Sequence, residues 1–299
     1  MRPLRLIPLC LLALLLAPNE GFIAQEKQAA PPFTGILTGH WGAVVSVAYS
    51  PDGKLIATSS EDFTARIWEA DTGRELRKLT HVNRVNSVCF PADGKSLLTA
   101  CSDGLARLWN VETGKPVRKF AGHQKAVYKA VFNPDSTQVL TYGADRTTRL
   151  WDAATGKELR STKDDTKLLL HIPAFSPDCK LVAAGCMDKT ARLREADTGK
   201  EIQKFEGHTE PVWCVAFSTD GKKLLTGAWD KTARLWDIET GKELRKFEGH
   251  TESLSCVSFS PDGKYVITGS SDKTARLGDA HTGAPVGAFN GHWEGVDSV

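Results

Sequence analysis

The sequence predicts an all-β fold, a β-propeller of four-stranded antiparallel blades with six complete blades and the start of a seventh. Three observations lead there. An aspartate recurs at Asp62, Asp103, Asp145, Asp188, Asp230 and Asp272, at intervals of 41 to 43 residues, and a fixed period of about 40 to 45 residues marks tandem propeller blades. Every period holds four short runs in which apolar and polar residues alternate or β-branched residues gather, the pattern of half-buried strands. The runs are separated by clusters of turn formers, such as Thr219-Asp220-Gly221-Lys222 and Glu239-Thr240-Gly241-Lys242, which suit tight hairpins.

The copy from Gly207 to Phe247 shows the unit most cleanly. Its runs Val212 to Phe217, Lys223 to Thr226, Thr232 to Trp236 and Glu243 to Phe247 are expected to be strands A to D of a meander. Successive turns of a meander lie at opposite ends of the sheet, so the D–A loop with His208 and the B–C turn with Asp230 share one end. Thr226 and Trp236 stand five residues either side of Lys231 and are expected to face each other across the B–C hairpin. An indole N–H, a hydroxyl, an imidazole and a carboxylate can then form one chain of hydrogen bonds.

These residues resemble the WD40 repeats of the G-protein β-subunit type. The resemblance rests on the Gly-His pair, the Ser-Pro-Asp-Gly-Lys turn, the aspartate four residues after a Ser or Thr, and the closing Trp-Asp, recurring in register over residues 33–299. It implies a structural Trp to Thr to His to Asp tetrad that staples each blade and does no chemistry. The tetrads so assigned are His40, Thr58, Asp62 and Trp68; His81, Thr99, Asp103 and Trp109; His123, Thr141, Asp145 and Trp151; and His208, Thr226, Asp230 and Trp236. The sixth blade has His250, Thr268 and Asp272, with Gly278 where Trp is expected. The fourth breaks the pattern: Asp165 or Thr166 takes the place of His, Ala184 of Thr and Arg194 of Trp. Loss of three members together is what a coupled network favours, since a half-satisfied buried set costs more than none. His171 falls inside strand A of this blade and is read as a packed strand residue.

The resemblance further implies a partner-binding top face at the end carrying the D–A loops and B–C turns. Trp41, Arg84, Met187, Glu210, Trp229, Glu252 and Trp293 are its candidates, and Trp, Met and Arg are types enriched at binding surfaces. For Trp229, packing on a neighbouring blade is the competing reading.

Ahead of the repeats, two arginines precede the twelve-residue apolar run Leu6 to Ala17. The run is shorter than the roughly 20 residues of a membrane span and has the length of a secretory h-region. Residues 1–24 are therefore expected to be a signal peptide or short hydrophobic leader, giving an exported protein in the periplasm or outside the cell. Phe22 and Asn19 do not suit the small-residue rule of a cleavage site, so an uncleaved membrane anchor is the alternative, and a cytoplasmic protein follows if the run is no leader at all. Residues 25–32 form a polar linker ending in two prolines. Thr34 to Thr38 precedes Gly39-His40 as strand D precedes later copies, and is expected to close the ring by completing the last blade. After Phe289 a seventh copy opens with Gly291-His292-Trp293 and reaches Val299, about 21 residues short of that closing strand. A truncated seven-bladed ring is expected, with six-bladed closure as the alternative.

A formal charge of +2 speaks against a dedicated nucleic-acid surface. None of the seven cysteines lies in a Cys-x-x-Cys or zinc-type spacing, so no metal or redox site is expected. Cys179 and Cys186 flank one strand, about 23 Å apart, too far to bridge. Cys214 and Cys256 hold equivalent strand-A positions and read as buried thiols, and six thiols outside the leader count against an oxidising compartment. Six of the eight histidines hold the tetrad position, and no phosphate loop is present. The function expected is a noncatalytic interaction scaffold, a monomeric ring binding a protein or peptide, with no catalytic residue, metal or cofactor. The rivals are an enzyme or small-ligand propeller using the central channel, and the sensor domain of a larger protein continuing past Val299. Small and apolar strand-A residues in the channel favour the scaffold; convergent carboxylates or histidines favour the rival.

Overall fold

The four-run pattern folds into blades. The computed structural model, which describes residues 37–163, 170–291 and 295–296, holds six four-stranded antiparallel sheets in succession, at residues 44–80, 85–121, 127–163, 170–206, 212–247 and 254–289. Within each blade the strands pair in chain order, A to D. The expected leader and linker, and most of the expected closing strand, lie outside the described residues; Leu37 and Thr38 of that strand belong to no sheet.

The B strands carry the core because a neighbouring blade covers each face. In Leu181–Cys186, Lys223–Ala228 and Tyr265–Ser270 five of six residues are buried, whereas no residue of the outer strand Glu243–Phe247 is. The apolar clusters lie between blades: Leu193 and Phe205 of the fourth pack with Val212, Leu224 and Trp236 of the fifth. Strand A of each blade packs on strand A of the next from the first blade to the sixth. In the fourth, fifth and sixth blades the close approach requires glycine late in strand B, at Gly185, Gly227 and Gly269. A Cβ on Gly227 would lie 2.7 Å from Val257 of the next blade, and one on Gly269 would lie 2.9 Å from the Val296 carbonyl oxygen, both inside van der Waals contact.

Val296 therefore stands against the sixth blade as a next strand A would. It is buried, its N–H donates to the Ser270 carbonyl at 2.9 Å, and it packs with Ile267 and Ala275. It follows His292 by four residues, as Leu254 follows His250. His292, Trp293 and residues 297–299 of the seventh copy lie outside the described residues.

The B–C register differs from expectation by one residue at the turn. Thr226 pairs with Arg234 and Leu224 with Trp236, so the hairpin centres on Asp230 and strands B and C run Lys223–Ala228 and Ala233–Asp237. The cause is the residue after the aspartate. Lys231 adopts a left-handed φ of 69° and its N–H donates to the Ala228 carbonyl, which closes the turn early. Trp236 then lies diagonally from Thr226 on the same face, still within reach of a long side chain. Phe63, Arg146, Lys189 and Lys273 repeat this conformation with φ of 64° to 73°, and the second blade places Gly104 there. A left-handed conformation disfavours side chains bearing a Cβ. Lys273→Gly is therefore expected to raise stability by about 0.5 kcal/mol in a denaturant titration, after the entropy that glycine adds to the unfolded chain; a loss of stability would contradict the turn geometry.

Candidate functional site

The fifth blade shows how the turn geometry gathers its polar residues. The Trp236 indole N–H donates to Thr226 Oγ1 at 2.9 Å, Thr226 Oγ1 lies 2.7 Å from His208 Nε2, and His208 Nδ1 lies 2.8 Å from Asp230. One proton per hydroxyl sets the sense of the chain. The hydroxyl accepts from the indole and donates to Nε2, and Nδ1–H donates to the carboxylate. Asp230 also accepts from the Thr209 N–H at 3.1 Å and the Thr232 hydroxyl at 2.7 Å. Burial alone would raise its pKa; the donors, His208 and Thr232 foremost, outweigh burial and hold it far below the usual carboxylate range. The same chain joins His40, Thr58, Asp62 and Trp68 at 2.7 to 2.8 Å, and His123, Thr141, Asp145 and Trp151 at 2.8 to 2.9 Å.

The second blade departs from the expected tetrad, because Asp103 stands outside it. Trp109 donates to Thr99 at 3.0 Å and Thr99 meets His81 Nε2 at 2.9 Å, but His81 Nδ1 donates to the Leu79 carbonyl at 3.2 Å. Three substitutions explain this. Thr80 replaces the glycine before His; Leu105 stands where Thr64, Thr147 and Thr232 bind the carboxylate; and Pro116 replaces the strand-D glutamate. In the first, third, fourth and fifth blades that glutamate holds the strand-C arginine, as in Arg66–Glu75 and Arg149–Glu158 at 2.6 Å each. Without it Arg107 takes Asp103 in a two-pronged pair at 3.0 and 2.6 Å. In the fourth blade Arg192 likewise takes Asp188 at 2.7 Å; Asp165, Thr166 and the His171 side chain lie outside what is described. In the sixth, His250 meets Asp272 and Thr268 at 2.8 Å each, and Gly278 offers no indole.

On the top face Trp41 is 72% exposed and Trp229 is 40% exposed. Trp229 stacks on Trp213, with centroids 5.4 Å apart and planes 27° apart, so its partner is a strand-A residue of its own blade. Tyr128, also exposed, holds the same register position in the third blade. Trp213 and Tyr128 were not foreseen as site residues; each lies five residues after a tetrad histidine, a position the repeat would have revealed. Arg84 pairs with Glu61 at 2.6 Å and Glu210 faces Lys189 at 3.8 Å. Both pairs join neighbouring blades, which gives these two candidates a structural occupation. Glu252 is exposed and Met187 half-buried, while Trp293 is outside the described residues.

The inner strands place Ser46, Ser87, Lys129, Cys214 and Cys256 at one register position. Ser87 Oγ accepts the Ala130 N–H of the next blade at 3.1 Å. Burial pulls the Lys129 ammonium below the usual lysine range. The six described cysteines are free thiols.

Four-stranded blades stapled by an indole, hydroxyl, imidazole and carboxylate chain define the WD-type β-propellers. Comparison with known families agrees: the model described as IFT122 first beta-propeller matches residues 80–299, and that described as WD domain, G-beta repeat matches residues 32–69. The chain belongs to this WD40-repeat propeller family, whose members generally serve as protein-interaction scaffolds. Among curated relatives, an uncharacterized WD repeat-containing protein of Nostoc sp. is 54% identical over 44 residues, 15% of this chain and 3% of its own length. Protein Mut11 of Chlamydomonas reinhardtii is 50% identical over 40 residues, 13% of this chain and 11% of its own. A ribosome biogenesis protein ERB1 of Eremothecium gossypii is 41% identical over 51 residues, 17% and 6% respectively. The chain thus aligns with only a small part of each of these relatives, about one repeat in length.

The tetrads make stability depend on pH. Burial lowers the pKa of His40, His123 and His250, and that of His81 to about 4. These histidines bind protons more readily when unfolded, so their contribution is full above about pH 6.5 and is lost as pH falls towards the folded value. For His81 the loss by pH 4 is on the order of 3 kcal/mol. Asp145, brought to about 2 against its burial by the Gln124 N–H, His123 and Thr147, adds a further loss as pH falls from about 4 towards 2. Denaturant midpoints measured from pH 8 to pH 3 are expected to be flat at first and to fall below about pH 6.5, with the fall between pH 6.5 and 4 shallower in His81→Gln. A midpoint that rises over that interval would contradict the neutral buried histidines.

Proposed function

We propose that the protein is a noncatalytic scaffold that binds a protein or peptide on its top face, around Trp229 and Trp213. The observation that carries the reading is the stacked pair itself. Trp229 keeps 40% of its surface in solvent while its ring is held against Trp213. An aromatic fixed before binding loses little side-chain entropy when a partner covers it, and aromatics are favoured at the centres of interfaces. Glu252 and the Lys189–Glu210 pair, at the ends of the sixth, fourth and fifth blades, supply charge of both signs on the same face, as in a polar interface rim. Strand A supports the scaffold over channel chemistry: Ala48, Val131, Ala174 and Ala216 share one inner register position, with Cys89 and Ser258. Of the described histidines, His171 and His281 lie outside the tetrad positions, the first in strand A of the fourth blade and the second in an exposed C–D turn.

The test is affinity capture with the full chain from an extract of its source cells, quantified for wild type, Trp229→Ala and Lys242→Ala, the last in a turn at the opposite end. Truncation of a central aromatic anchor is expected to reduce partner recovery about tenfold or more, with Lys242→Ala unchanged. Equal recovery by Trp229→Ala and wild type would remove this face from consideration.

A further inference from the structure

The sixth blade lacks the indole that the first, second, third and fifth blades bury, and what lines that space has a definite chemistry. Gly278 lies opposite Val266, as Trp236 lies opposite Leu224. Between the fifth and sixth blades lies a solvent-open cavity of about 250 Å³, walled by Phe247, Val266 and Leu277 and bounded on its polar side by Thr268 and Arg276. The fourth blade, where Arg194 fills the same repeat position, retains only about 20 Å³.

Three features of the walls select among aromatic ligands. Phe247 leans over Gly278, 2.8 Å from where a Cβ would stand. Its counterparts Phe120 and Phe205 are buried against the tetrad tryptophans at centroid distances of 6.0 and 5.7 Å. A flat ring entering beside Gly278 would find the same aromatic partner. The Thr268 hydroxyl gives its proton to His250 Nε2 at 2.8 Å. Its oxygen remains an acceptor on the cavity, the role in which Thr58, Thr99, Thr141 and Thr226 accept an indole N–H at 2.8 to 3.0 Å. Arg276 is the third feature. Its equivalents Arg66, Arg149, Arg192 and Arg234 pair with a strand-D glutamate, but Pro285 occupies that position here. Asp272, the alternative that Arg107 uses in the second blade, is bound to His250. Among the described residues Arg276 has no carboxylate within ion-pair distance, while Lys246 and Glu248, which also line the cavity, pair with each other.

We propose that this cavity is a ligand site for a small indole-type aromatic acid: the ring stacks beside Phe247, its N–H donates to Thr268, and its carboxylate pairs with Arg276. Indole-3-acetate and indole are the probes, titrated against the full chain by ligand-observed NMR. Indole-3-acetate is expected to bind saturably with a Kd on the order of 1 mM, the range open to a ligand of about a dozen heavy atoms. Gly278→Trp, which requires Phe247 to move aside, places the chain's own indole in the cavity and is expected to weaken binding at least about tenfold. Arg276→Gln is expected to weaken indole-3-acetate about tenfold and leave indole unchanged, an arm that stands even if Gly278→Trp fails to fold. Absence of saturation by about 5 mM, or equal binding by Gly278→Trp and wild type, would overturn the site. An equal response of both probes to Arg276→Gln would overturn the ligand class.

Discussion

The blade depends on one hydroxyl. In the fifth blade Thr226 Oγ1 is the point at which strand C, strand B and the D–A loop meet, because it accepts from Trp236 and donates to His208. Each of those groups is buried, and an unpaired buried donor or acceptor carries its full desolvation penalty. The carboxylate of Asp230 ends the chain, and by binding the Thr209 and Thr232 N–H groups it also fixes the loop and the turn. The polar network thereby sets where the loops of the top face stand, and the apolar clusters between blades set how those faces are arranged around the ring.

The departures follow the same logic. A carboxylate at the B–C turn always finds a cation or an imidazole: His40, His123, His208 and His250 in four blades, and Arg107 and Arg192 in the other two. In the four histidine-bound blades a Thr two residues after the aspartate, Thr64, Thr147, Thr232 or Thr274, also donates to it, and in the second blade Leu105 stands there. In the fourth blade Arg192 bonds both Asp188 and Glu201. Arg160 next to it leaves Nε and Nη1 buried without a hydrogen-bond partner, although its repeat equivalents Arg77, Arg118 and Arg245 donate to carbonyls of the following blade.

Much of this was legible in the sequence, because the period, the turn residues and the tetrad positions repeat in register. Strand bounds in the fifth blade came out at Val212–Phe217 and Glu243–Phe247 as expected. The B–C register was misjudged because the left-handed residue after each aspartate is a Lys, Arg or Phe in five of six blades, residue types that give no sign of positive φ. Asp103 carries the tetrad spacing but lacks the Thr two residues on, where Leu105 stands, and the glycine before His, where Thr80 stands. Trp213 was passed over because a strand-A aromatic reads as core until the partner it stacks on is known.

A stacked Trp229 can serve as an anchor only if the turn that carries it is rigid, and that turn is held by the tetrad. Direct coupling between the two ends of the chain of hydrogen bonds is therefore the central requirement. A double-mutant cycle of Trp236→Phe and Asp230→Asn, read by equilibrium unfolding, measures it. The two side chains do not bond each other, so independent contributions would add to within about 0.3 to 0.5 kcal/mol. Coupling of about 1 kcal/mol or more, relayed through Thr226 and His208, is the expected result; strict additivity would show that the four residues are merely neighbours.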